Sequence, residues 1–538
     1  MRIEKCGKNK FQNTKISMQK KYLKLFNSSL FFISLIILIL VIVYFQSFFH
    51  QLIFLDDDTF IYVKFNGLSL SEKISTAFTS NYLDNHYYRP ITLVSIIVDS
   101  IIGGQSFFIY HFTNFILHLL TGILIFVILK KIGVSNLIAF FTTLLFILSP
   151  IQINAVSWIA GRGDLLAAFF STSAILIFLN FINENKTYLL IFVSILLVLA
   201  ILSKEVALPV PFLLTGFYFI EKKKYVLNKN SVGVLIMMAF VLGFYYVLRV
   251  FILPGVYIDK FSFTNYYKNI QILPETVSKF FIPYGIKALP TVDDFTSSAG
   301  IIIFILLFIL PVFLKQVNKL RYYFGLFWFV ILLFPGMVNR TMMQDGFFYW
   351  DCRSYLPLIG FLFVISELLK SYKLNGNRNF ILIGLYISTL GIFTFDKIKI
   401  YETPLTYWNS VRADYPYSFL PNIGLFNYYD FKNYSEKAEE QLLQAIEIRP
   451  EELSLRIQLV KFYEKNKQSE KTMAMLKKTL LDDSLYSDYL VNKYLTMVDD
   501  SNKFVELNKL LEVYKNSPQI IEKITKINSD LIKKGNNS

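Results

Sequence analysis

Three consecutive carboxylates, Asp56, Asp57 and Asp58, follow directly on an apolar run from Ser28 to Phe49. That position puts them at or just beyond a membrane surface. Like charges so close repel, so one or more should hold its proton unusually tightly unless a cation answers them. Such a carboxylate suits a general base that takes the proton of an acceptor hydroxyl in a membrane-embedded transferase. The plainer reading is an acidic turn that ends a helix. Four further short stretches carry charge: Tyr87-Tyr88-Arg89-Pro90, Gly161-Arg162-Gly163-Asp164, Lys204-Glu205 and Asp351-Cys352-Arg353. Each alone is more often an interfacial anchor or a structural ion pair than a site. Together they fall on turns assigned below to one face. The cations Arg89, Arg162, Lys204 and Arg353 suit a phosphate, because arginine offers a bidentate fork and lysine a point charge. A lipid phosphate headgroup sits at that depth. Asp164 and Glu205 are candidates for substrate contact.

His111, Asn114 and His118 are spaced to share one face of a helix. Polar side chains inside an apolar span are costly and face a cavity or a partner, which makes them candidates for substrate binding. For His118 an interhelical hydrogen bond is the structural alternative. No Cys/His spacing argues for zinc, so a metal is not favoured, and no cofactor is indicated beyond a lipid-phosphate donor substrate.

The elements that must position these groups are membrane helices. In the 538-residue chain, 54% of residues are hydrophobic and 17% aromatic. That composition and the repeated apolar runs exclude an ordinary soluble protein. The net charge of +15 lies largely in short loops between apolar runs, as the positive-inside rule expects, and is no nucleic-acid signal. Residues 1–27 are basic and read as a cytoplasmic N-terminus ahead of an uncleaved first helix. The apolar runs then alternate between basic turns such as Lys130-Lys131 and Lys222-Lys223-Lys224 and the charged outer turns. The expectation is an all-α polytopic membrane domain over residues 28–396, with about eleven spans and outer loops at 50–106 and 253–297. Cys6 and Cys352 fall on opposite sides in this topology and should not pair. After a linker at 397–418, residues 419–538 turn charged and helical. There Gly424, Leu425, Tyr429, Ala438, Leu442, Ala445 and Pro450 fall on tetratricopeptide spacing.

Several stretches taken in order resemble the transmembrane and tetratricopeptide repeat O-mannosyltransferases and their bacterial homologues. These are Leu55 to Val63, Tyr88 to Thr92, His111 to Asn114 with His118, Pro150 to Ala167, Ser203-Lys204-Glu205, Arg353 to Pro357, Thr406-Tyr407-Trp408 and the repeats. The resemblance implies a GT-C fold and a polyprenyl-phosphate-sugar donor. It implies a catalytic acid at Asp56 or Asp57, with Asp58 supporting. Gln152 and Asn154 stand where that family often has His and Glu, which puts donor or acceptor identity in question.

The expected activity is transfer of a sugar, mannose being one candidate, to a protein or cell-surface acceptor on the extracytoplasmic side. The repeats would hold the acceptor, and the bilayer would be the bacterial inner membrane. The alternative is a non-catalytic, membrane-anchored repeat scaffold for envelope assembly.

Overall fold

The structure is a computed structural model that describes residues 28–81, 87–104, 106–222, 228–252, 269–291, 294–337, 341–343, 346–371, 377–480, 487–515 and 518–535. The basic N-terminus with Cys6, His86 and the lysines at 223 and 224 lie outside the described residues. The chain forms two compact units, residues 1–410 and 411–538.

Among the described residues the regular structure of the first unit is helical, apart from a short antiparallel hairpin pairing Thr341–Met343 with Gly346–Phe348. Eight of the described helices are long and apolar enough to cross a membrane. A ninth candidate is the pair Asn136–Ile147 and Pro150–Ser157, bent by 51°. The bend falls where Pro150 interrupts the helical hydrogen bonds. The two remaining expected segments, Leu189–Ser203 and Val210–Lys222, are helices of 15 and 13 residues. The first unit is therefore an all-α polytopic membrane protein, and each expected apolar run is a helix.

Arg321 donates to both carboxylate oxygens of Glu221 (2.6 and 3.0 Å) and to the Ile132 carbonyl (3.2 Å). Three turns read as lying on one side of the bilayer thus meet there. Helices Lys319–Leu333 and Tyr355–Ser371 cross at Gly325 and Gly360. A Cβ on Gly360 would collide with the Gly325 carbonyl, so only glycine permits the crossing.

The segment after the first span contains the helix Leu70–Thr79, started by a capping box. Ser69 Oγ accepts from Glu72 N, and the Glu72 carboxylate accepts from Ser69 N at 2.7 Å. Its exposed Leu70, Ile74 and Phe78 form one stripe at helical spacing.

The segment 397–418, read from the sequence as a linker, is instead mostly helical, with Pro404–Asp414 as its main element. Tyr401, Tyr407 and Trp408 are buried in the first unit. Their aromatic area is what ties the segment down.

In the second unit, consecutive helices from Leu420–Phe431 to Asp500–Val513 pack on their chain neighbours, and Pro518–Gly535 packs on Asp488–Met497. Ala438, Leu442 and Ala445 share a core with Leu455, Leu459 and Phe462, the small alanines letting adjacent helices approach.

Candidate functional site

The acidic loop is built by its own middle carboxylate. Asp57 Oδ2 accepts from Ile53 N at 2.9 Å, and Oδ1 accepts from Leu55 N at 3.0 Å and Asp58 N at 3.1 Å. Phe54 and Asp56 are held at φ of +58° and +68°, a left-handed conformation costly for residues with a Cβ. Two tryptophans fasten the loop from outside. Trp158 Nε1 donates to the Leu55 carbonyl at 2.8 Å, and Trp408 Nε1 to the Ile53 carbonyl at 2.7 Å. Gln51 N donates to the Glu402 carbonyl at 2.9 Å. The triplet therefore divides: Asp57 is 1% exposed, Asp58 is half-buried and Asp56 is exposed.

Burial pushes the Asp57 carboxyl up to about 7, with the Asp58 charge adding to it. The Ile53 and Leu55 amides work the other way, and Asp56 adds a further upward push. Asp58 is also raised, chiefly by burial. A carboxyl raised in the folded state binds a proton more tightly there than when unfolded. Its contribution to stability is present in full at low pH and is lost as pH rises from the ordinary carboxylate range to about 7. Thermal unfolding of detergent-solubilised protein from pH 4 to 8 should show this as a wild-type decline that Asp57→Asn lacks. Parallel curves for the two proteins would contradict it.

The charged turns meet at a second place. Arg89, Asp164, Lys204, Glu205 and Arg353 line one cavity of about 80 Å³, walled also by Tyr87, Pro335 and Gly336. Each group sits at a helix boundary. Arg89 precedes Pro90, the first residue of Pro90–Gly103, and Asp164 lies in the first turn of Arg162–Glu184. Lys204 ends Leu189–Ser203, and Arg353 lies in the turn that leads into Tyr355–Ser371. Arg89 pairs with Glu205 at 2.9 Å and Lys204 with Asp164 at 2.5 Å. Arg353 donates to the Gly336 carbonyl at 3.2 Å and lies over the Tyr349 ring. Three cations against two carboxylates leave one net positive charge on the lining. Among the described residues Glu205 Oε1 is buried with no hydrogen-bond partner and could accept from a ligand's donor. The net positive charge and the arginine forks suit an anion with oxygen acceptors, such as a phosphate.

The structure does not bring every expected site residue to this cavity. Arg162 is wholly buried: it pairs with Asp99 and donates to Asn114 Oδ1 (2.8 Å), the Tyr110 carbonyl (2.6 Å) and the Ser95 carbonyl (3.3 Å). Asn114 Nδ2 in turn donates to the Val156 and Trp158 carbonyls at 3.2 and 3.1 Å. Arg162 and Asn114 thus shape the 150–164 stretch from within, and neither lines the cavity. His118 takes the structural alternative, with Nδ1 at 2.6 Å from the Tyr355 hydroxyl and Nε2 at 3.0 Å from the Ile147 carbonyl. His111 is buried edge-on against His50, ring centroids 5.8 Å apart. Asn154 bridges the Tyr401 hydroxyl and Cys352 N, whereas the amide of the buried Gln152 has no partner. Among the described residues no three His, Cys, Asp or Glu side chains converge as metal ligands do.

Asp99, the counter-charge of Arg162, is marked in the sequence only as a lone acid in the apolar helix Pro90–Gly103. Trp158 and Trp408 belong to the motif stretches, but nothing in the sequence says that both reach one loop.

These features define an all-α, multi-pass membrane protein with a pinned acidic loop and a cation-lined cavity built from helix ends. The chain is 34% identical over 101 residues to human protein O-mannosyl-transferase TMTC1, a stretch covering 19% of this chain and 11% of that protein. It is 32% identical over 99 residues to the mouse TMTC1 protein, covering 18% and 10%. To human protein O-mannosyl-transferase TMTC3 it is 30% identical over 89 residues, covering 16% and 10%. The matched stretches thus span about a tenth of each relative's length. No protein-family model matches the chain.

Proposed function

We propose that this protein transfers a sugar from a polyprenyl-phosphate donor to a protein or cell-surface acceptor on the extracytoplasmic side of the membrane. The observation that carries the reading is the convergence of Arg89, Lys204 and Arg353 on one cavity. The donor phosphate binds there, at the level of lipid headgroups, with its chain in the bilayer. Asp56 is the base, because it is the exposed member of the triplet. It takes the proton of the acceptor hydroxyl as that oxygen bonds to the anomeric carbon. The bond from that carbon to the phosphate oxygen breaks, the cations hold the departing phosphate, and the configuration inverts. Asp57 holds the loop. The similarity to protein O-mannosyl-transferases supports mannose as the first sugar to test. The helices of the second unit are tetratricopeptide-like repeats that hold the acceptor.

The test is reconstitution with radiolabelled polyprenyl-phosphate-mannose and a membrane extract as acceptor source. Wild type should transfer label, and Arg353→Ala should lower kcat/KM by about tenfold or more through weaker donor binding. Label in protein or in extractable glycolipid names the acceptor class. No transfer from mannose, glucose or N-acetylhexosamine carriers would favour the scaffold reading, which draws on the structural use of Asp57.

A further inference from the structure

The chain has four tryptophans. Trp158, Trp328 and Trp408 are buried, and each indole N–H donates to a main-chain carbonyl: Leu55, Leu356 and Ile53. Trp350 differs. It is only partly buried, and among the described residues no hydrogen bond engages its indole. A tryptophan with one part packed and one part open is the type of side chain that contacts ligands.

Its position is specific. The Trp350 ring lies 5.2 Å from that of Trp158, tilted by 33°. Trp158 in turn holds the Leu55 carbonyl, one residue before the exposed Asp56. On the other side the Trp350 carbonyl accepts from Arg353 N at 3.0 Å, so the turn that starts at Trp350 carries Arg353 into the cationic cavity. Tyr349, the residue before it, is buried and its N–H is bonded to the Pro290 carbonyl at 3.2 Å, which fixes where the turn begins. One indole is therefore linked through Trp158 to the acidic loop and by one turn to the cavity.

We propose that Trp350 is the platform on which the hexose of the lipid-phosphate donor stacks. The inference rests on the transferase reading above. A donor whose phosphate is held by Arg353 and whose anomeric carbon faces Asp56 must lay its ring between the two. The negative face of an indole attracts the weakly positive C–H face of a pyranose, while the sugar hydroxyls point away to water or to polar groups. Stacking is shape-selective but places no charge near the reacting carbon.

The test uses the full chain in nanodiscs and compares polyprenyl phosphates carrying mannose, glucose or N-acetylhexosamine with bare polyprenyl phosphate of the same chain length. Trp350→Ala should weaken binding of the preferred sugar-bearing lipid about tenfold and leave the bare lipid phosphate unchanged, and Trp350→Phe should restore most of the loss. Equal loss for both lipids would make Trp350 a wall of the phosphate cavity and overturn the proposal, as would no loss for either. If wild type binds bare and sugar-bearing lipids equally, the stacking subsite falls while the phosphate site stands. If wild type binds none of them, the transferase reading fails, and this inference with it.

Discussion

Asp56→Asn is expected to lower the rate of label transfer by about a hundredfold or more while leaving the folded protein intact, because it removes a general base and keeps the three main-chain bonds that Asp57 accepts. The contrast with Asp57→Asn is what gives the experiment its force. Asp57 is the residue with the most perturbed carboxyl of the triplet, raised to about 7. A group titrating near neutrality is ordinarily the first candidate for proton transfer. Here geometry outweighs that argument. Both oxygens of Asp57 accept main-chain N–H groups, and the side chain is 1% exposed, so an acceptor hydroxyl has no approach to it. An asparagine at 57 keeps one acceptor oxygen but presents an amide N–H where the other oxygen met a donor. Its activity should fall together with thermal stability, and both should respond to ligand binding. For Asp56→Asn the two should separate, with kcat lost and stability kept. A fully active Asp56→Asn protein would remove Asp56 as base and move that role to the half-buried Asp58.

Much of this architecture is legible from residue type and spacing, and the physical reason is local. An apolar run of sufficient length must be a helix in lipid, because its main-chain groups have no other partners there. Turns between successive spans alternate sides, so the sequence puts Arg89, Asp164, Lys204, Glu205 and Arg353 on one face, and all five line one cavity. What stays hidden is whether a buried polar group is satisfied by a substrate or by the protein. Arg162 and Arg353 look alike in sequence, each beside an acid in an outer turn. The structure separates them because Asp99, 63 residues before Arg162, supplies a counter-charge inside the helix bundle. His118 was ambiguous for the same reason until Tyr355, 237 residues on, met it. Residues 397–418 likewise have no long apolar run, yet Trp408 within them reaches back 355 residues to the loop it fastens. Long-range pairs of this kind leave no mark in local composition.

The Arg162–Asp99 pair carries the second large prediction. Both side chains are almost wholly buried, 0% and 4% exposed, and Thr113 Oγ1 also donates to Asp99 Oδ1 at 2.8 Å. Asp99→Asn would leave the guanidinium buried without its counter-charge, a loss of about 3–5 kcal/mol of stability. Arg162→Met should cost about as much by stranding Asp99, and it would also strip Asn114 Oδ1 and the Tyr110 carbonyl of their donor. The double variant Asp99→Leu with Arg162→Met removes both charges, so it should be less destabilised than the sum of the singles. Unfolding of the four proteins in detergent measures this coupling. Additive losses, or single variants within about 0.5 kcal/mol of wild type, would show the pair to be incidental. The consequence reaches the cavity through the chain itself, since Asp164 lies two residues beyond Arg162 and holds Lys204. Gly163 stands between them, where a Cβ would sit 3.4 Å from the Ser203 carbonyl and from Thr92 Oγ1. A start of helix Arg162–Glu184 that is no longer locked should therefore shift Lys204, and the surviving single variants should bind lipid phosphate more weakly even where they remain folded.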